Sequence, residues 1–276
     1  MKRILLAAIA LSGIITCQAQ DTTAKDKADT IRIGGMVIIK KGKEDDNDKK
    51  DRHITISNRH KRRSSNVSTN WWIVDIGFSN LKDESNYALA QNQGFVGAGF
   101  GKDQFDLRMS KSINVNLWFF MQRLNLIKHA VNLKYGLGLE LNNYRFEDER
   151  VRFTKNPTII SIDSSLNNAD KNKLAADYIT VPLLLNFNFT PGREKGFGFS
   201  AGISAGLLYS ARQKIKNGDS KTKLHDDFDL EKWKLSYIGE LNLGPVRLYG
   251  SYAMNNMWQK GLDQTPYNVG IRLSNW

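Results

Sequence analysis

The stretch HAVNLKYGLGLELNNYRF, His129 to Phe146, alternates without a break. Val131, Leu133, Tyr135, Leu137, Leu139 and Leu141 share one parity, and Asn132, Lys134, Gly136, Gly138, Glu140 and Asn142 the other. A period of two marks a β-strand with two unlike faces. A soluble barrel turns such leucines inward, whereas a membrane barrel turns them outward to lipid. Fold and function both hang on that facing.

The same period recurs in eight segments: Trp71 to Ser79, Lys111 to Gln122, Ala130 to Phe146, Asp177 to Phe189, Gly196 to Ala211, Glu231 to Leu243, Val246 to Asn256 and Pro266 to Asn275. Each reaches the roughly 9 to 11 residues that a tilted strand needs to cross a bilayer core. Connections after the first, third, fifth and seventh segments run to roughly 30, 30, 19 and 9 residues. Those between are RLNLIKH, TPGREK and GP. This alternation predicts an all-β fold, an eight-stranded antiparallel up-and-down transmembrane β-barrel with long external loops and short periplasmic turns.

The N-terminal end agrees. Lys2 and Arg3 precede an apolar run from Ile4 to about Ile15, followed by small and polar residues. Residues 1–19 read as a secretory signal peptide cleaved after Ala19. Lipidation at Cys17 is the rival, disfavoured by Thr16 before it. Export would leave a chain without cysteine, so disulfides do not hold it together. Residues 20–70, with the mixed-charge runs KKGKEDDNDKKDRH and RHKRRSSNVSTN, read as a polar periplasmic linker. Within it TIRIGGMVIIKK suggests a short hairpin and HITIS a further strand-like piece, while Arg59 to Arg63 read as a solvated charge cluster in preference to a contact with lipid headgroups. Residues 71–276 form the barrel domain. Losing Lys2 and Arg3 lowers the formal charge from +12 to +10. For an exported protein this excess suits lipid phosphates, not nucleic acid.

The polar parity decides the facing. In GFGFSAGISAGLLYSA, Gly198, Ser200, Gly202, Ser204 and Gly206 alternate with Phe199, Ala201, Ile203, Ala205 and Leu207. Small residues on one face weaken an ordinary strand but fit a narrow barrel interior. Aromatics on the apolar parity fall into two bands: Trp72, Tyr135, Phe187, Phe189 and Phe199 near the periplasmic end, and Phe78, Tyr209, Trp233, Tyr252 and Tyr267 near the outer end. Two such girdles are expected at the membrane interfaces. The lipid-facing arrangement is therefore preferred to a lipocalin-like soluble carrier. Pro182 removes one ladder donor and points to a bulge or an unpaired position.

DYITVPLLLNFNF, with Tyr178, Ile179, Val181, Pro182, Leu183, Leu184 and Leu185, followed by FSAGISAGLLYS and the terminal YNVGIRLSNW, resembles the PorT-like outer-membrane β-barrel domain of Bacteroidota. The resemblance implies an outer-membrane barrel inserted by the barrel-assembly machinery, and a tie to secretion for one member of that type. Trp276 lies on the opposite parity from Tyr267, Val269, Ile271 and Leu273. The insertion signal therefore ends at Leu273, or the last residues bend out of register.

Chemistry-bearing residues are sparse. The inward parity carries Asp75, Lys134, Glu140, Lys234, Glu240, Arg247 and Arg272, which predict an interior polar network that leaves little room for conduction. With a Gly244-Pro245 turn, Asn242 faces Arg247 and Glu240 lies diagonal to it. In the third external loop Lys214, Lys216, Lys221, Lys223 and Lys232 are candidates for anionic glycolipid. HDDFD offers His225 beside Asp226, Asp227 and Asp229, with Ser210 or Ser220 nearby. That is a weak setting for a lipid-modifying enzyme and a weak calcium site. Neither zinc-ligand spacing nor a nucleotide fingerprint occurs, and no cofactor is expected. The sequence thus predicts a monomeric, non-enzymatic barrel with a structural or interaction role and external loops that bind envelope components. A secretion accessory or narrow conduit is the alternative.

Overall fold

The computed structural model describes residues 29–33, 36–40, 65–191 and 196–274. The signal peptide, HITIS, Arg59 to Arg63 and Trp276 lie outside the described residues. The chain divides into two compact units, Met1–Arg63 and Ser64–Trp276. In the first, β1 (Asp29–Ile33) and β2 (Met36–Lys40) pair antiparallel with Ile33 opposite Met36, the hairpin that TIRIGGMVIIKK suggested.

The second unit is built on one antiparallel sheet. Its strands are β3 (Val67–Asp83), β4 (Ile113–Ile127), β5 (Val131–Arg145), β8 (Lys171–Asn188), β9 (Phe197–Asn217), β10 (Ser220–His225), β11 (Trp233–Leu243), β12 (Val246–Ala253) and β13 (Gln264–Leu273), while β6 (Val151–Phe153) and β7 (Ile160–Ile162) form a separate ribbon in the second long connection. Neighbours run β9, β11, β12, β13, β3, β4, β5, β8, and β8 pairs back onto β9. All eight expected segments take part in this ring of pairings. A ninth strand, β10, lies within the predicted third external loop and folds against the far end of β9.

The facing is visible along β5. Asn132, Lys134, Gly136, Gly138, Glu140 and Asn142 are buried, and Val131 through Leu141 on the other parity are only half-buried. On β8 the exposed residues are Ile179, Val181, Leu183 and Leu185, and on β9 Phe199, Ile203 and Leu207. The polar parity points inward throughout. Two irregularities modify the pattern. Trp72 has φ of 57° and drops out of the ladder opposite Phe119, so Trp71 and Trp72 both face outward, 65 % and 74 % exposed. At Pro182 there is no bulge: the ladder to β5 is interrupted at Val181 and Pro182 while the register on either side stays the same. The bulge in β8–β9 falls instead at Asp177/Tyr178.

Inside the ring, glycines make room for large neighbours. Gly77 and Gly270 face each other across β3 and β13, and the ring of Tyr249 lies over both to donate from its hydroxyl to Asn114. A Cβ on Gly270 would stand 2.7 Å from Tyr249 Cε1 and 2.5 Å from the Gly77 Cα. Gly270→Val is expected to lower unfolding stability by about 3 kcal/mol, the upper range for overpacking a core. Denaturant titration of the folded protein measures it.

The long connections are not solvated loops. The first holds α1 (Tyr87–Asn92), capped by the Asn86 side chain accepting from Leu89 N at 3.1 Å, and α2 (Lys102–Phe105). Phe95, Phe100 and Phe105 from it, Phe153 and Ile160 from the second, Phe228 and Leu230 from the third, and Met257, Trp258 and Leu262 from the fourth share one buried apolar cluster. Backbone bonds tie the loops together, with Gly97 N to Ile160 O at 2.8 Å and Gln259 N to Asp229 O at 2.8 Å. The unit therefore has a largely polar core within its ring, with a small apolar cluster of Ile73, Trp118, Met121 and Leu184, and a larger apolar core over its loop-bearing end.

Candidate functional site

Six of the seven predicted interior residues meet. Asp75 on β3 takes both hydrogen bonds of the Arg272 fork, from Nε at 2.6 Å and Nη2 at 2.7 Å. Arg272 on β13 also pairs with Glu240 on β11. Glu240 accepts in turn from Lys134 Nζ on β5 at 2.6 Å and from Ser200 Oγ on β9 at 3.1 Å. One layer of side chains closer to the loops, Lys234 on β11 pairs with Glu140 on β5. All six side chains are at most 8 % exposed. Three cations meet three carboxylates, so the charges of this group balance without any further ion.

Arg247 is the exception. Asn242 does face it across the Gly244-Pro245 turn, where Gly244 takes φ of 70°. Its guanidinium nevertheless reaches Ser274, donating to the carbonyl at 2.5 Å, because Glu240 is already held from two other strands.

Sequence reasoning missed the neutral half of the network. Trp118 Nε1 and Asn116 Nδ2 donate to Asp75 at 2.8 and 3.2 Å. Asn142 and Asn268 each donate to Glu140 at 3.1 Å. Asn114, Asn116 and Trp118 share the buried parity of β4, so the period-two rule that found the charges reaches these as well. A space of about 40 Å³ lies among Lys134, Glu240, Arg247 and Arg272, and one of about 30 Å³ among Asn116, Trp118, Glu140 and Glu240, each with room for a water or two.

The loop candidates separate. Lys214 and Lys216 lie on the extension of β9 directly opposite Lys223 and Lys221 of β10. Lys232 stands apart, beside a cleft with Ser210, His225, Asp226 and Asp227. In that cleft Ser210 Oγ accepts from Arg212 Nη1 at 3.1 Å, which ties it to Arg212. Ser220 and His225 stand at opposite ends of β10. The acidic triplet does not converge as a calcium site would. Asp226 and Asp227 accept from backbone amides and Asp229 pairs with Lys260 at 3.1 Å. Among the described residues no group of three or more His, Cys, Asp or Glu side chains gathers in metal-ligand geometry.

A ring of antiparallel strands, apolar outward and polar inward, with short turns at one end and long connections at the other, defines an outer-membrane type of β-barrel domain. Residues 74–257 match the family described as outer membrane protein beta-barrel domain, and the chain belongs to that family. Membership supports an outer-membrane location and a structural or interaction role. No curated protein matches the chain.

Proposed function

We propose that the chain is an eight-stranded outer-membrane barrel of the PorT-like type, exported with removal of residues 1–19 and inserted as a monomer by the barrel-assembly machinery. Of residues 20–70, those before Val67, where β3 begins, remain as its periplasmic linker, and its role is to present a capped, loop-built surface to envelope components outside. The carrying observation is the ion-paired interior beneath an apolar cap: an open conduit needs neither. Its outward band, including Ile179, Val181, Leu183, Ile203, Leu235, Val269 and Ile271, consists of large apolar side chains each 41–60 % exposed, and it suits lipid. Trp71 and Trp72 at one end, with Tyr209 and Trp233 at the other, suit the two interfaces. The basic pairs Lys214 with Lys223 and Lys216 with Lys221 lie beyond the outer band, where glycolipid phosphates belong.

The protein is expected in the outer-membrane fraction, with gel mobility that shifts on boiling because the closed sheet resists detergent until heated. In a planar bilayer it is expected to show no stable conductance on the porin scale. A soluble periplasmic monomer, or steady porin-like current, contradicts the proposal.

A further inference from the structure

We propose that a basic cleft on the outward face of β5 and β8 binds a phosphate group of an outer-leaflet glycolipid, with the lysine rows of β9 and β10 continuing the same site. This deepens the reading above and rests on it. Register brings together cations that are far apart in sequence. Arg145 lies opposite Lys173, Lys173 opposite Lys214, and Lys214 opposite Lys223, one unbroken row across four strands. Lys171, Lys216 and Lys221 make a second row beside it. Like charges placed directly opposite one another repel. The first row holds no carboxylate and is therefore costly unless an anion lies on it, whereas in the second Asp170 already pairs with Lys216.

The face is the lipid side. On β8, Lys171 and Lys173 share parity with Ile179, Val181 and Leu183, and stand beyond the apolar band. On β9 the bulge shifts parity, so that Ala211, Gln213 and Ile215 are buried and Lys214 and Lys216 point outward. Where the rows meet β5 there is a cleft of about 340 Å³ lined by Ser110, Lys111, Asn143, Arg145, Lys171 and Lys173, with four cations and no carboxylate in its wall. Ile113 at its edge is apolar and exposed, as a site facing acyl chains requires. Arg145 is 6 % exposed, yet its Nε is buried without a hydrogen-bond partner. Of the nearby carboxylates, Asp170 pairs with Lys216 of the second row at 3.2 Å and Glu149 with Arg108 at 2.7 Å, which leaves the cleft cations Lys111, Lys171 and Lys173 without a carboxylate among the described residues. Burial first, then the neighbouring Lys171, Lys214 and Arg212, depress Lys173 to about 8. A phosphate in the cleft would relieve that crowding.

The test uses the full chain folded in an uncharged detergent, titrated calorimetrically with diphosphorylated lipid A, with its dephosphorylated counterpart, and with inorganic phosphate. The diphosphorylated form is expected to bind about tenfold or more tightly than the dephosphorylated one, less so as salt rises. Lys171→Gln with Lys173→Gln is expected to remove that preference, and Lys82→Gln with Lys260→Gln to keep it. Retained heat-modifiable mobility shows that each variant is folded; if the first pair does not fold, Lys111→Gln with Lys171→Gln replaces it. Equal binding of the two glycolipids, equal loss in both variant pairs, or full displacement by inorganic phosphate overturns the proposal. Failure of the membrane assignment would show in fractionation and mobility, which the titration does not read.

Discussion

Glu240→Ala is expected to lower unfolding stability by about 3–5 kcal/mol, the cost of leaving buried charges without their partner. Two cations depend on this one carboxylate: Lys134 at 2.6 Å and Arg272, both at most 8 % exposed. Arg272 keeps Asp75 in the variant, while Lys134 loses its carboxylate and retains the neutral Ser200 Oγ at 3.3 Å. Adding Lys134→Met to Glu240→Ala is therefore expected to recover part of the loss, a coupling that two independent contacts would not show. Arg247→Ala, by contrast, breaks only the contact to Ser274 at the end of the ring and is expected to cost about 1 kcal/mol. Urea unfolding of the protein refolded into lipid vesicles, followed by tryptophan fluorescence, measures all three. A Glu240→Ala loss below about 1 kcal/mol would mean that water reaches Lys134 and that the interior is not sealed.

How the network was legible, and where it was not, follows from the geometry of a strand. Parity is local, so Lys134 and Glu140 announce themselves as inward once the alternation of β5 is seen. Partner choice is not local. Whether Glu240 turns to Arg247, its diagonal neighbour across a tight turn, or to Arg272 and Lys134 depends on the stagger of strands around the ring, which no single segment encodes. The same limit hid the basic rows: Arg145, Lys173, Lys214 and Lys223 meet only because three separate registers align them. Trp71 escaped because a positive φ at Trp72 reverses parity within one residue. The cap escaped for a different reason. Phe95, Phe105, Phe153 and Trp258 have no period to detect, and only their number in supposedly solvated loops hinted that the loops bury one another.

That cap carries the second large effect. Trp258 comes from the fourth connection and is 2 % exposed. Its ring stacks on Phe153 of the second at 6.1 Å and meets Phe95 and Phe105 of the first edge-on at 5.7 and 6.1 Å. Its Nε1 donates to Gln264 Oε1 at 2.9 Å, which anchors it to the start of β13. Removing this side chain deletes a ring that touches two other connections from a third. Trp258→Ala is expected to cost the cap about 3–5 kcal/mol. Because the ring of strands is held by its own ladders and by ion pairs well below the cap, the loss is expected to be local. Trypsin added to vesicles bearing the variant is then expected to cut the first and second connections, at sites such as Lys102 and Lys155, many times faster than in the parent protein. The shift of gel mobility on boiling is expected to persist. If that shift disappears together with protease resistance, cap and ring fold as one cooperative unit. The loops would then be part of what holds the strands closed, and no longer a separate surface built upon them.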